Sequence, residues 1–350
     1  MLVLVTRYKS ILYFLCPINL LSREVSPLIS LKKGYSVYPI TVPTKYSVKS
    51  FNFFLWEDGN SLSLIDAGLD SNECWEQLNN TLSENGFSLD DITQIILTHS
   101  HEDHIGLINR ILSIREIPVY AHSKSIPWLK RDKEFLSLWI EFYKQLYHEM
   151  GCGDTGIHNI ERIKKELKAR ENYTIHSDII PINESDTISG LQVFETPGHS
   201  PDHLVFYNQK EKWLFGGDNL IGHMSSNALV EPDKEGTRIL TLVEYIESLE
   251  KCLNLDIEKV FSGHGQLISN PKDLITTRLK KIYQKSDQIL NLIVSGISSA
   301  DQLARTYYKD KYQREFELVM SEIIGHVDYL EVSNKIKKVL IDGVWHYKQI

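Results

Sequence analysis

The chain has 350 residues, of which 42% are hydrophobic and 24% are charged, so it is long enough for two domains or for one large domain with an appendage. Its net charge of −8 argues against a protein whose main task is to bind nucleic acid. The four cysteines are widely spaced and form no Cys-x-x-Cys pair. This usage argues against a thiolate metal site and a disulfide framework, and it predicts a reducing, cytoplasmic location.

The N-terminal segment, residues 1–33, is interpreted as an extension that lies outside the fold. Its apolar run at 11–21 is too short to span a bilayer, contains Pro17 and Asn19, and lacks a small-residue cleavage site. Export by a signal peptide is the alternative interpretation. We expect no stable association with a membrane.

From residue 34 the chain alternates between strand-like and helix-like patterns. Strands are predicted at 35–42, 51–56, 61–65 and 118–122, and a helix is predicted at 71–86. The third of these strands ends at Asp66. Such an alternation, with polar residues where strands end, predicts a layered α/β fold.

A dense cluster of metal-binding side chains follows the apolar run at 95–97. His99, His101, Asp103 and His104 form a His-x-His-x-Asp-His pattern at the point where a strand gives way to a helix. Alternation along an extended segment directs His99 and His101 to the same side, so both can bind one metal ion. Asp103 and His104 can face a second one. Clustering these ionisable groups without a metal would be costly.

Residues 124–176 interrupt the alternation and are interpreted as a helical insertion. Aromatic and aliphatic residues recur at helical spacing from Trp128 to Tyr147, which predicts one long helix, and a more charged helix follows at 157–170. These aromatic side chains either form a wall over an active site or pack against the core. Both interpretations stay open, because they can hold for different faces.

Three further metal-binding side chains each follow a predicted strand and lie beside a glycine. His199 follows the strand at 191–195, Asp218 follows the hairpin at 204–207 and 213–215, and His264 follows the strand at 259–262. An amphipathic helix is predicted at 240–253. Other polar residues near these positions are candidate substrate contacts, with an ordinary structural role as the alternative: His203, His223 and Asn227.

The last segment, residues 276–350, has a different pattern from the rest. Helices are predicted at 278–294, 299–308 and 315–330, followed by a β-hairpin that turns at Asp342-Gly343. Three helices and a hairpin are the layout of a winged helix. Residues 278–350 include twelve Lys/Arg and nine Asp/Glu, so this segment is weakly basic within an acidic chain. Binding to RNA and a packing or homodimer role are both open.

With these motifs in their order, the sequence resembles the metallo-β-lactamase superfamily over about residues 34–270, which we take as the catalytic domain (34–275). The resemblance implies an αββα sandwich with a helical insertion and a C-terminal winged-helix-like domain. It also implies a first metal ion held by His99, His101 and His199, a second held by Asp103, His104 and His264, Asp218 as a bridge, and Asp66 as a carboxylate that orients a ligand histidine. The motifs are most similar to bacterial members and to the group that contains a lactamase-like endoribonuclease.

The predicted chemistry is hydrolysis by two divalent metal ions that share a hydroxide, with Asp103 orienting it and Asp218 offsetting the metal charge. Histidine and carboxylate ligands suit Zn²⁺ best, and Mn²⁺ or Fe²⁺ would also bind. We expect a small ester, thioester or lactone as substrate. An endoribonuclease or phosphodiesterase is the alternative, and a mononuclear iron oxygenase on the same fold is another.

Overall fold

The computed structural model describes residues 29–31, 34–170 and 173–350. Most of the predicted N-terminal extension therefore lies outside the described residues, but its described part, Ile29–Leu31, pairs with the following strand and so lies within the first sheet. Seven strands form the first sheet in sequence order: β1 (Ile29–Leu31), β2 (Tyr35–Pro43), β3 (Ser50–Glu57), β4 (Leu62–Ile65), β5 (Ile92–Ile96), β6 (Val119–His122) and β7 (Ile179–Ile182). Strands β1 to β4 pair antiparallel, and β4 to β7 pair parallel.

The second sheet has five strands in the order β12-β11-β10-β9-β8. They are β8 (Thr187–Ile188), β9 (Leu191–Glu195), β10 (Leu204–Asn208), β11 (Trp213–Gly217) and β12 (Lys259–Ser262). The pairing is antiparallel except between β11 and β12, which run parallel. The parallel pair brings the carboxyl ends of β11 and β12 to the same edge.

Helices cover both outer faces of this pair of sheets, and further helices follow in the C-terminal segment. They are α1 (Asn72–Glu84), α2 (Glu102–Ile105), α3 (Ile108–Leu112), α4 (Ile126–Leu129), α5 (Lys133–Glu149), α6 (Gly153–Ala169), α7 (Thr241–Leu253), α8 (Pro271–Val294), α9 (Ala300–Tyr308), α10 (Lys311–Arg314) and α11 (Phe316–Val332). A final hairpin joins β13 (Ile336–Ile341) to β14 (Val344–Gln349). Among the described residues, no helix is long and apolar enough to cross a membrane.

The two sheets face each other across an aromatic core. Phe54 of β3 packs on Phe215 and Phe261 of the second sheet, with ring centroids 5.5 and 5.6 Å apart. Alternate residues of each strand face outward, where α1 and α3 cover the first sheet and α7 and α8 cover the second. The predicted αββα sandwich is thereby confirmed.

The insertion differs from the single long helix that its aromatic spacing predicts. Arg131 adopts a left-handed φ of 53°, which ends α4, and Asp132 begins α5 by accepting a hydrogen bond from the Phe135 backbone N–H at 2.8 Å. The prediction of one helix was wrong because the apolar spacing continues across this break. The only sequence signal for the break is the N-cap residue, Asp132. The second helix, α6, begins at Gly153, four residues earlier than predicted.

The insertion and the C-terminal segment share one hydrophobic core. Trp139 and Ile160 of the insertion belong to the same buried cluster as Leu303, Ile324 and Tyr347. Backbone hydrogen bonds also join the two segments, for example from the N–H at position 301 to the carbonyl at position 150, at 3.1 Å. The predicted helices and hairpin of the C-terminal segment are present, while their interpretation as a winged helix stays a prediction.

The shared core makes a direct prediction about stability. Ile324→Ala removes a fully buried side chain from α11 and should lower the free energy of unfolding by about 2–5 kcal/mol. Val332→Ala, on the 54% exposed end of the same helix, should change it by less than about 0.5 kcal/mol. Urea denaturation measures both values. Equal effects of the two substitutions would contradict the packing described.

Candidate metal centre

The predicted metal-binding side chains converge at one edge of the sandwich, although they come from both sheets. The first sheet contributes residues 99–104, which follow β5, and the second contributes Asp218 after β11 and His264 after β12. His199 lies in the loop between β9 and β10. All seven predicted ligands are buried. The site therefore exists only when the two sheets are packed together.

The first group of ligands consists of three imidazoles. His99 Nε2 and His199 Nε2 each lie 3.0 Å from His101 Nδ1. Nitrogen atoms at this spacing can converge on a single metal ion, and the three residues form one of the geometrically competent ligand groups.

The second group combines a carboxylate with two imidazoles: Asp103, His104 and His264. His264 Nε2 lies 3.4 Å from Asp103 Oδ2. Asp218 lies between the two groups, with its carboxylate 3.4 Å from His104 Nε2, 3.1 Å from His264 Nε2 and 3.5 Å from His199 Nε2. Its position allows one carboxylate to face both groups.

Several buried atoms at the centre of this cluster make no hydrogen bond within the described chain. They are both carboxylate oxygens of Asp103, Nε2 of His104 and Oδ1 of Asp218. Leaving buried acceptors without partners is costly, and carboxylate oxygens and imidazole nitrogens are hard or borderline metal ligands. The residues present therefore fit divalent metal ions.

The outer nitrogen of several ligand histidines is held by a neighbouring group. Asp66 Oδ2 accepts a hydrogen bond from His104 Nδ1 at 2.8 Å, so His104 presents Nε2 to the centre. The Ser50 carbonyl likewise accepts a hydrogen bond from His264 Nδ1 at 2.7 Å, and the Asn227 carbonyl accepts one from His199 Nδ1 at 3.0 Å. These contacts fix the ring orientation and the tautomer in advance of metal binding.

Asp66 has the contacts that an orienting carboxylate requires. Its φ of 58° turns the chain sharply after β4, a conformation that aspartate tolerates better than most residues. The carboxylate then accepts hydrogen bonds from both the backbone N–H and the hydroxyl of Thr98, each at 2.8 Å. Asp66 thus connects β4 to the loop that contains the first ligands.

The protonation states of the cluster make metal binding depend on pH. Burial lowers the pKa of His99 well below its usual value, and the neighbouring histidines add to this effect. Burial also lowers the pKa of His104, but the Asp66 and Asp218 carboxylates outweigh it and raise that pKa well above its usual value. Burial raises the pKa of Asp218, but His264 and His104 outweigh it and hold that pKa well below its usual value. A metal ion must displace the His104 proton, so metal affinity should rise with pH.

The three candidate substrate contacts have different positions. His203 is buried, and its ring nitrogens bond to the Thr196 hydroxyl at 2.9 Å and to the Asp218 backbone N–H at 3.0 Å. His203 thus contacts the Asp218 backbone, and it is not among the described residues that line the cavity described below. His223 is exposed and faces the Ser47 carbonyl at 3.0 Å. Asn227 lines the cavity described below.

Two supporting residues were not identified from the sequence. Asp202 accepts a hydrogen bond from the Ser100 backbone N–H at 2.9 Å, which ties the His199 loop to the first ligand loop. Asn52 donates to the carbonyls of Ser262 and Gly265 at 3.0 and 2.8 Å, on either side of His264. A polar Asn52 within the otherwise apolar run at 51–56 was the available signal for this role.

A cavity of about 130 Å³ opens onto the ligands. The metal-binding side of its wall includes His101, Asp103, His199 and Asp218. The opposite walls come from α5 and α6 of the insertion and from α11 of the C-terminal segment. The insertion therefore forms a wall of the site as well as packing on the C-terminal core, so both sequence interpretations hold for different faces.

The contacts of Asp66 predict its effect on metal binding. Asp66→Asn should weaken metal affinity by about 10–100-fold, because the His104 ring loses the charged group that orients it. Asp70→Asn, at an exposed position in the same loop, should leave it unchanged. Competition against a chromogenic chelator measures both affinities. Unaltered binding in Asp66→Asn would show that His104 needs no such support.

Comparisons with known proteins identify the family. Residues 49–264 match the model of the metallo-β-lactamase superfamily. The chain is 33% identical over 308 residues to the probable metallo-hydrolase YqjP of Bacillus subtilis (strain 168), covering 86% of this chain and 93% of that protein.

A more distant relative and a solved structure agree with this assignment. The atrochrysone carboxyl ACP thioesterase of Pseudocercospora fijiensis is 23% identical over 249 residues, covering 71% of this chain and 57% of that protein. The crystal structure of the metallo-β-lactamase family protein TTHA1429 from Thermus thermophilus has the same fold, with a TM-score of 0.72 at 22% identity, covering 90% of this chain and 98% of that one. The chain belongs to the metallo-β-lactamase superfamily and is a metal-dependent hydrolase.

Proposed function

We propose that this protein is a binuclear metal-dependent hydrolase that acts on a small ester, thioester or lactone with an apolar acyl or aromatic group. The observation that carries the proposal is the apolar cavity that opens onto the metal ligands. A site for a small molecule of this kind is expected to be concave and mainly apolar, with a few convergent polar groups.

The binuclear part of the proposal rests on the two ligand groups and on Asp218 between them. Each group has three ligands within reach of one metal ion, and the Asp218 carboxylate lies within 3.5 Å of a histidine from each. Nitrogen and carboxylate ligands without sulfur suit Zn²⁺, with Mn²⁺ or Fe²⁺ as alternatives. A mononuclear iron oxygenase would leave the second complete ligand group without a purpose.

Bound divalent ions would polarise the scissile carbonyl and lower the pKa of water to near neutrality. The protein's own residues provide the setting for this chemistry. Asp103 has no hydrogen-bond donor within the described chain, so its carboxylate is available to accept a proton or to orient the attacking water. His203 holds the Asp218 backbone in place through a 3.0 Å hydrogen bond.

The cavity walls support an apolar substrate group. Their hydrophobic side chains come from β3 and the loop before it, from the insertion and from α11, and include Val48, Phe51, Trp128, Trp139, Ile163 and Leu318. Burying an acyl or aryl group against them contributes roughly 25 cal/mol per Å² of apolar area. One relative's name, a carboxyl ACP thioesterase, agrees with thioester chemistry.

The charges on the cavity wall argue against a polyanionic substrate. Apart from the metal ligands, the wall has four acidic residues and one basic residue among its described side chains: Glu102, Glu166, Glu231, Glu317 and Arg170. Arg170 is itself paired with Glu102 at 2.8 Å. RNA recognition depends on a positively charged groove, so this wall disfavours the ribonuclease alternative.

Asp218→Ala tests the binuclear site. The substitution removes the carboxylate shared by both ligand groups, so the protein should lose at least one bound metal per chain and at least about a hundredfold of its activity. Metal analysis by mass spectrometry and steady-state kinetics measure these losses. Asp90→Ala, at an exposed position, is the control. Full turnover with Asp218 absent would rule out the binuclear mechanism.

A substrate panel tests the substrate class. Metal-loaded protein should hydrolyse thioesters, esters or lactones with apolar acyl groups, and the rate should barely change between about 50 and about 200 mM salt. Nuclease activity would instead fall steeply over that range, because phosphate contacts release counterions. Cleavage of single-stranded RNA without turnover of any carbonyl substrate would replace the proposed function with the ribonuclease.

A further inference from the structure

A second cavity, of about 280 Å³, lies between α7, α8 and α11. It is a neighbour of the catalytic cavity, because both are lined by Ser225, Ser226, Asn227 and Ser321. Ser226 and Asn227 also face the metal site, where the Ser226 hydroxyl lies 3.2 Å from His199 Nδ1. One short loop therefore separates the second cavity from a predicted metal ligand.

Arg278 is a buried cation on the wall of this second cavity, with 4% of its surface exposed. Its guanidinium donates hydrogen bonds to the carbonyls of Ile221 and Met224, at 2.7 and 2.5 Å, and to the Tyr245 hydroxyl at 3.5 Å, which holds the chain that follows Asp218. Among the described residues it forms no ion pair with a carboxylate. A buried charge without a counter-ion is costly, so this position favours an anion in the cavity.

The other charged side chains of the second cavity, like Arg278, contribute a net positive charge. Lys281 is exposed at its entrance, one helical turn from Lys285, and forms no ion pair within the described chain. Lys285 is paired with Glu322, the only acidic residue on the described wall. Burial lowers the pKa of His326 to about 4, so this neighbour is neutral at physiological pH. The wall thus has a net charge of about +2, in contrast to the acidic catalytic cavity.

We propose that the cavity between α7, α8 and α11 binds a phosphate group through Arg278 and Lys281. Guanidinium and ammonium donors are the side chains that bind phosphate most strongly in proteins. The phosphate can be that of a free small molecule or the end of a substrate whose acyl group occupies the neighbouring cavity. The site goes beyond the proposed function, and phosphate binding there does not depend on which bond the enzyme cleaves.

Calorimetric titration of the full-length, metal-loaded protein with sodium phosphate, at constant ionic strength, tests the site. Lys281→Gln should weaken phosphate binding about fivefold, as expected for one partly exposed charge contact, and Lys281→Glu should weaken it further. Lys280→Gln is the matched control, because Lys280 is exposed on the same helix but does not line the cavity. All three substitutions are at the surface, so folding is preserved.

Phosphate that binds at the metal ions would not respond to Lys281, so the difference between variants isolates the second cavity. Equal affinities in both Lys281 variants and in Lys280→Gln would overturn the proposal, as would the absence of any binding by the unaltered protein. If the panel above finds no carbonyl substrate, this binding measurement still decides whether the site exists.

A kinetic comparison separates the two sources of the phosphate. Thioesters of pantetheine and of 4′-phosphopantetheine with one acyl group differ only in that phosphate. If it belongs to the substrate, Lys281→Gln should raise KM for the phosphorylated thioester alone. If it belongs to a free ligand, added inorganic phosphate should change the turnover of both thioesters equally in the unaltered protein and have a smaller effect in Lys281→Gln. Either pattern supports the site.

Discussion

Seven imidazole and carboxylate groups meet at the edge of the sandwich with their polar atoms only 3.0–3.5 Å apart. Polar groups packed so closely, and removed from water, oppose folding unless a cation is placed among them. The hydrogen bonds around the rim do not relieve this cost, since they reach only the outer atoms of each ring. Metal binding is therefore coupled to the stability of the folded chain as well as to catalysis.

The aromatic core between the sheets sets the distance between the two halves of the site. Phe54, Phe215 and Phe261 interlock there, and the second-sheet strands that contain Phe215 and Phe261 end at the ligands. Asn52 and Asp202 then add polar links across the gap, from β3 to the His264 loop and from the His199 loop to the first ligand loop. Packing of the core brings the ligand loops together, and these hydrogen bonds fix the orientation of each loop.

The ligands could be predicted because their chemistry is concentrated in short motifs at strand ends, where a glycine and an apolar strand identify the position. His203 shows the limit of such reasoning. It lies in the same motif as His199, four residues away, yet its two nitrogens serve Thr196 and Asp218. Which nitrogen faces which neighbour depends on contacts between distant segments, and a single sequence contains no direct signal for these. The association of the insertion with the C-terminal segment could not be predicted either. Periodicity indicates which face of a helix is buried, but not which segment packs against that face.

The helix α11 shows what that association does for the site. It packs into the insertion core through Ile324 and presents Leu318 to the catalytic cavity. Ser321, on the same helix, lines both cavities and accepts a hydrogen bond from the Val230 backbone N–H at 3.3 Å. A change in the packing of α11 must alter the shared core, the catalytic cavity and the second cavity together, because a close-packed helix moves as a unit. The walls of the catalytic cavity are therefore formed by the C-terminal segment as well as by the metal-binding sandwich.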